Sequence, residues 1–219
     1  MRKSFVLVFM LATFLSLSFL TTAHAYPVSV GQEIKFADGA GTTGGGEFLV
    51  YDYNTNDYLF TSFCLETNEY LNFSGKFIVG DISTAAINGG TGGGNPDPIS
   101  DQTAYLYHNF YYNSLAGYDH SDAKANDLQK AIWYFEGETA YQDQINNPYV
   151  ILANNNVGDS PGKWQGLGDV RVINLLNASG GYAQDQLTVA PVPEPATMLL
   201  LGTGLIGLAG IGRKKLKMA

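Results

Sequence analysis

A single thiol, Cys64, is the chain's only sulfur nucleophile, and three fates are open to it. It can be a small buried hydrophobe, one half of an intermolecular disulfide, or a reactive group. A reactive thiol needs a base, and once the first 25 residues are removed (see below) the histidines left are His108 and His120. No nucleophile elbow or papain-like frame surrounds Cys64, so the residue types alone favour burial. Glu66 and Glu136 are the acid–base candidates for a secreted hydrolase acting on matrix polysaccharide, although no carboxylate pair stands out. Asp81, Asp97, Asp101, Asp119 and Asp122 lie in or near Gly- and Asn-rich turns and offer oxygen ligands, but no run has calcium-loop spacing. Tyr105, Tyr107, Tyr111 and Tyr112 could stack on sugars, with at least half of the 14 tyrosines expected in the core. No metal site, cofactor motif or phosphate loop appears, and the chain reads as a non-enzyme.

The elements that must hold these residues are mainly β. Glu47–Tyr51, Tyr58–Leu65 and Lys76–Val79 are aromatic and β-branched and read as strands, as do Asp169–Leu176 and Gln184–Val189. Strand alternation puts Cys64 on one side with Phe60 and Ser62, and Leu59, Phe63 and Leu65 on the other. Between the two strand-rich parts, Ser100 or Asp101 starts a predicted helix running to about Leu115, with Ala104, Tyr107, His108, Tyr111 and Leu115 along one side. A second helix is expected from about Ser121 to Phe135, presenting Leu128, Ile132 and Phe135 and stopped by Gly137. The Gly-rich stretches 39–46 and 88–98 punctuate the chain. The expected architecture is an α+β, mainly β ectodomain over residues 26–190, a β-sandwich or barrel-like fold with a helical insert at about 100–136.

The chain ends give an address. Arg2 and Lys3, an apolar run from Phe5 to Leu20 and a small-residue site at Ala23 and Ala25 form a secretory signal, with cleavage expected after Ala25. Residues 26–195 hold all 20 acidic residues and only six of the 12 basic ones, a net of about −14, the wrong sign for a nucleic-acid partner. At the other end, Val192, Pro193, Glu194 and Pro195 precede 17 uncharged residues, 196–212, and then a basic tail of Arg213, Lys214, Lys215 and Lys217. Seventeen helical residues span roughly 25 Å, near the short limit for crossing a bilayer, and the basic tail keeps the C-terminus in the cytoplasm.

Residues 191–215 closely resemble the PEP-CTERM sorting signal of Gram-negative bacteria. The resemblance implies that an exosortase recognises Pro193-Glu194-Pro195 and cuts nearby, after transient anchoring in the inner membrane. The ectodomain is then released or attached at the cell surface, commonly in association with exopolysaccharide and biofilm matrix.

A second resemblance lies inside the ectodomain. Phe63-Cys64-Leu65-Glu66 and Leu128-Gln129-Lys130-Ala131-Ile132-Trp133 are similar to the two halves of the bacterial Cys–Gln thioester domain. Leu128 stands where that domain has threonine, and the separation of the halves is shorter. The resemblance implies a covalent bond between Cys64 and Gln129, an acyl group activated toward surface amines or hydroxyls. Such a bond must be kept from water, and Trp133, one helical turn beyond Gln129, is the expected shield. If the helical turn begins at Asn126 or Asp127, Gln129 sits near its N-terminus, where backbone N–H groups can stabilise an oxyanion. A purely structural matrix component is the remaining alternative.

Overall fold

The computed structural model describes residues 26–42, 45–190 and 203–204. Ala23 and Ala25, the sorting residues Val192, Pro193, Glu194 and Pro195, and the tail residues Arg213, Lys214 and Lys215 lie outside them. So does the predicted membrane helix 196–212 apart from Thr203 and Gly204. Among the described residues no helix is long and apolar enough to cross a membrane.

Among the described residues 26–190, eight strands and three α-helices follow in order: β1 Glu33–Asp38, β2 Phe48–Asp52, β3 Tyr58–Ser62, β4 Phe77–Ser83, β5 Ala85–Ala86, β6 Asp97–Pro98, α1 Asp101–Tyr111, α2 Asp122–Phe135, α3 Pro148–Asn156, β7 Val170–Asn177 and β8 Tyr182–Val189. Ala25–Ala190 forms one compact unit. The protein is mainly β, as its composition and patterning indicate. Six strands make an antiparallel sheet in the order β3-β2-β1-β4-β7-β8, and β5 pairs with β6 in a small second sheet.

The strand expected over Tyr58–Leu65 is shorter, because its partner β2 runs out where Phe48 faces Ser62. Phe63, Cys64 and Leu65 leave β2 and reach the opposite edge of the sheet. There Leu65 N–H donates to Asp185 O at 3.3 Å, Leu187 N–H donates to Phe63 O at 3.1 Å, and Cys64 faces Gln186 across the bridge. The two edges meet, so the sheet closes on itself in a barrel-like manner, which leaves fewer backbone groups unpaired at its edges.

Alternation then separates two cores. Ile34, Phe36, Val50, Phe60, Cys64, Val79, Ile173 and Leu175 fill the inside of the closed sheet, whereas Phe63, Leu65, Val172 and Leu187 face outward toward the helices. Leu59 departs from the expected alternation and packs partly against the inner core, since the register shifts between Val50 and Tyr51 opposite it. Leu106, Tyr107, Leu128 and Ile132 cover the outer face and are fully buried. Each large apolar side chain so buried contributes about 1.5–3 kcal/mol.

Capping places the helices. The Ser100 hydroxyl accepts from Thr103 N–H at 3.1 Å, and Ser121 and Asn147 cap α2 and α3 in the same way. Helix α1 ends at Tyr111 rather than Leu115, because Asn113 takes a left-handed conformation at φ 54°. Its buried face runs through Ala104, Leu106, Tyr107 and Phe110, leaving His108 and Tyr111 at the rim. Gly137, at φ 79°, ends α2.

Candidate functional site

Cys64 and Gln129, 65 residues apart in sequence, are in contact and wholly buried. Cys64 occupies the bridge just described, its side chain inside the sheet. Gln129 comes from the middle of α2, on the buried side with Ala125, Leu128, Ile132 and Trp133. The helix begins at Asp122, not at Asn126 or Asp127, so its N-terminus is too far from Gln129 to supply the expected oxyanion donors.

Other backbone groups stand in that place. The Gln129 Oε1 accepts from Cys64 N–H at 3.3 Å and from Gly46 N–H at 3.3 Å. The Cys64 thiol also donates to Oε1, at 3.4 Å, and Gln129 Nε2 donates to Cys64 O at 2.8 Å. Donors at one end of the amide and a carbonyl at the other fix which atom is oxygen. Two backbone N–H groups aimed at a carbonyl oxygen beside a thiol are the kind of donors that an acyl transfer at that carbon would use to stabilise an oxyanion.

The surroundings keep this contact dry. Trp133 is 3% exposed, and its ring packs against Tyr141 with centroids 4.5 Å apart and planes tilted by 39°. Gly45 lies against the other components: a Cβ there would sit 2.5 Å from Trp133 Cη2 and 2.7 Å from Gln129 Cγ. Only glycine lets the backbone come close enough for Gly46 to reach Gln129. Trp133 therefore packs beside Gln129 at this site.

Burial pushes the Cys64 thiol well above its usual range, the nearby Glu66 carboxyl adds to this, and the indole N–H of Trp133 partly opposes it. The sulfur is thus held as a neutral thiol. Glu66 is pushed up to about 10, first by burial and then by the charges of Asp185 and Glu69. Its Oε2 accepts from Asp185 N–H at 3.1 Å. Asp185, pushed up to about 6 by burial, accepts from Asn174 Nδ2 at 2.9 Å and from Ile87 N–H at 2.7 Å. These acids stitch the chain after Cys64 to β8.

The other candidate residues are dispersed. His108 Nδ1 pairs with Asp169 at 2.6 Å and His120 Nδ1 with Glu47 at 2.6 Å, and neither pairs with the thiol. Glu136 is bonded to Ser100 N–H and Oγ at the start of α1, and burial pushes it to about 7. Glu66 has other partners, among them Asp185 N–H, so each carboxyl is fastened to a different part of the fold. Tyr107 is a core residue whose hydroxyl donates to Thr61 O at 3.0 Å, whereas Tyr112 is exposed and donates to Asp169 at 2.7 Å. The four tyrosines therefore do not share one platform. Asp101, Asp119 and Asp122 accept from backbone N–H groups of Gly166, Ser121 and Gly41. Among the described residues no three His, Cys, Asp or Glu side chains gather as a metal site.

Sequence reasoning missed Gly45, Gly46 and Glu138. Glu138, fully buried, binds Thr67 Oγ1 and accepts from Thr91 N–H at 3.2 Å and Thr91 Oγ1 at 3.0 Å. It fastens the Gly-rich stretch 88–98 to the chain just beyond Cys64. Its position directly after the helix-ending Gly137 was the signal available.

Residues 191–214 match the PEP-CTERM protein-sorting motif. That motif implies an exported protein with a C-terminal, membrane-associated sorting signal that an exosortase processes. No curated protein and no solved structure matches the chain.

Proposed function

We propose that this exported, exosortase-sorted protein works at the cell surface or in the extracellular matrix. There an internal thioester between Cys64 Sγ and Gln129 Cδ attaches it covalently to amine or hydroxyl groups. The observation that carries the reading is the buried contact of thiol and side-chain amide beneath two backbone N–H donors. In the forming step Sγ bonds to Cδ, the Cδ–Nε2 bond breaks, and the thiol proton leaves with that nitrogen as ammonia. In the consuming step an amine nitrogen or hydroxyl oxygen bonds to Cδ, the C–S bond breaks, and the proton returns to sulfur. Each chain reacts once, so the protein is a reagent and not an enzyme. Trp133 keeps water from the acyl group until a partner arrives.

The partner chemistry is a surface amine or an extracellular polysaccharide hydroxyl, consistent with a matrix role. The intact mass of the full chain recovered from the cell envelope, after its terminal processing is accounted for, tests the bond. A mass lower by one ammonia is expected, absent in Cys64→Ala and Gln129→Ala. Methylamine should add once, at Gln129. An unmodified mass with a thiol that titrates freely on unfolding would overturn the reading.

A further inference from the structure

A second buried glutamine lies beside Cys64. Gln186 is fully buried, and neither its Oε1 nor its Nε2 has a hydrogen-bond partner among the described residues. It faces Cys64 across the bridge that closes the sheet. The flanking bonds, Leu65 N–H to Asp185 O and Leu187 N–H to Phe63 O, make Cys64 and Gln186 a non-hydrogen-bonded pair. In such pairs the side chains lie on the same face and at their closest, with Cβ atoms about 4.5–5.5 Å apart.

One more unpartnered buried polar atom belongs to a residue near this thiol: Oε1 of Glu66, two residues along the chain from Cys64. Of the six such side-chain atoms among the described residues, three therefore belong to Gln186 and Glu66, beside Cys64. Leaving a buried amide unpaired is costly, so this concentration calls for a partner present at some stage of the chemistry.

The Cys64–Gln129 exchange supplies one. Gln129 Oε1 has its two backbone donors, whereas the nitrogen that must depart has one protein acceptor, Cys64 O. We propose that Gln186 is the hydrogen-bonding group for the nitrogen that crosses this bond, ammonia as the thioester forms and a primary amine as it is consumed. Ammonia and a primary amine both donate and accept, and the Gln186 amide offers both complements. Gln186 itself is not acylated, because no backbone N–H bonds to its oxygen. The inference rests on the thioester reading and adds to it a preference for amines.

The test uses the full chain with Gln186→Met, which keeps the volume and removes the amide, and Gln186→Asn, which draws the amide back by one methylene. In both, methylamine incorporation at Gln129 should slow by about tenfold, the effect of losing one good hydrogen bond to the reacting nitrogen. The Met variant should melt no lower than wild type, because it removes an unpaired buried amide. A wild-type chain without the ammonia loss overturns the thioester reading and this inference together. A wild-type chain with the loss, and variants that take up methylamine at the wild-type rate, overturns the inference alone, whatever their melting temperatures.

Discussion

The Cys64–Gln129 contact and the two histidine–carboxylate contacts are built in opposite ways. His120 and Glu47, with the Tyr118 hydroxyl donating to the same carboxylate oxygen at 2.6 Å, have the residue types of an acid–base site. So do His108, Asp169 and Tyr112. Both sets sit on the protein's flank: His120 is 55% exposed in its side chain, and each set ties a helix or the turn before it to the sheet or its flanking loop. The thiol site has no bonded base, no exposed atom and no pairing through charge. It is assembled from a neutral thiol, a neutral amide and backbone N–H groups. Residue type alone draws attention to the flank, whereas burial and donor geometry are what support the proposed site in the interior.

The largest test of that contrast is Gly45→Ala. The added methyl would collide with Trp133 and Gln129 together, both held by buried packing. Overpacking of this kind costs about 1–3 kcal/mol, and it pushes away the segment carrying the Gly46 N–H. Lower stability by thermal melting and a smaller fraction of chains lacking one ammonia are expected together. A variant as stable as wild type and fully converted would show that the backbone donor does not matter.

A second test is the effect of pH on stability alone. Glu66 and Asp185 are both raised in the folded state, Glu66 to about 10 and Asp185 to about 6. A carboxyl raised by folding binds its proton more tightly in the native state. Its contribution is therefore full below the unfolded value near 4, and it falls as pH rises toward the folded value. Stability should decline from about pH 4 to pH 10, most steeply per unit where both acids contribute, up to about 6. Glu66→Gln removes the wider part of this range, so its melting temperature should change less than that of wild type between pH 6 and 9. Parallel melting curves for the two proteins across that interval would show that Glu66 is already ionised in the fold.

Much of this was legible in the sequence, and the parts that were not share a cause. The β-rich halves, the two helix caps at Ser100 and Ser121, and the frames around Cys64 and Gln129 follow from local pattern. Strand β1 is hard to read locally, because Glu33, Lys35 and Asp38 break its apolar content even though Ile34 and Phe36 alternate inward. Helix α3 ends in Asn154, Asn155 and Asn156, a composition that reads as loop, and it is its packing on α1 and α2 that defines it. Gln184-Asp185-Gln186 looks like a solvated strand, yet closure of the sheet buries all three. Gly46 is illegible for a stronger reason: its role lies in a backbone N–H, which no residue type announces. Long-range closure, not local preference, decides both.

The smallest effect comes from the flank. His120→Ala removes a ring that is more than half exposed and bonded to Glu47 at 2.6 Å. Surface pairs of this kind contribute about 0–1 kcal/mol, and Glu47 keeps the Tyr118 hydroxyl as a donor after the change. The melting temperature should therefore move only slightly, and methylamine uptake at Gln129 should proceed at the wild-type rate. A loss of uptake at unchanged stability would place a base from the flank within the acyl chemistry. The separation between a fastening surface and a buried thiol site would then fail, with a route at hand: Glu47, which His120 bonds, directly follows Gly46, whose N–H reaches Gln129.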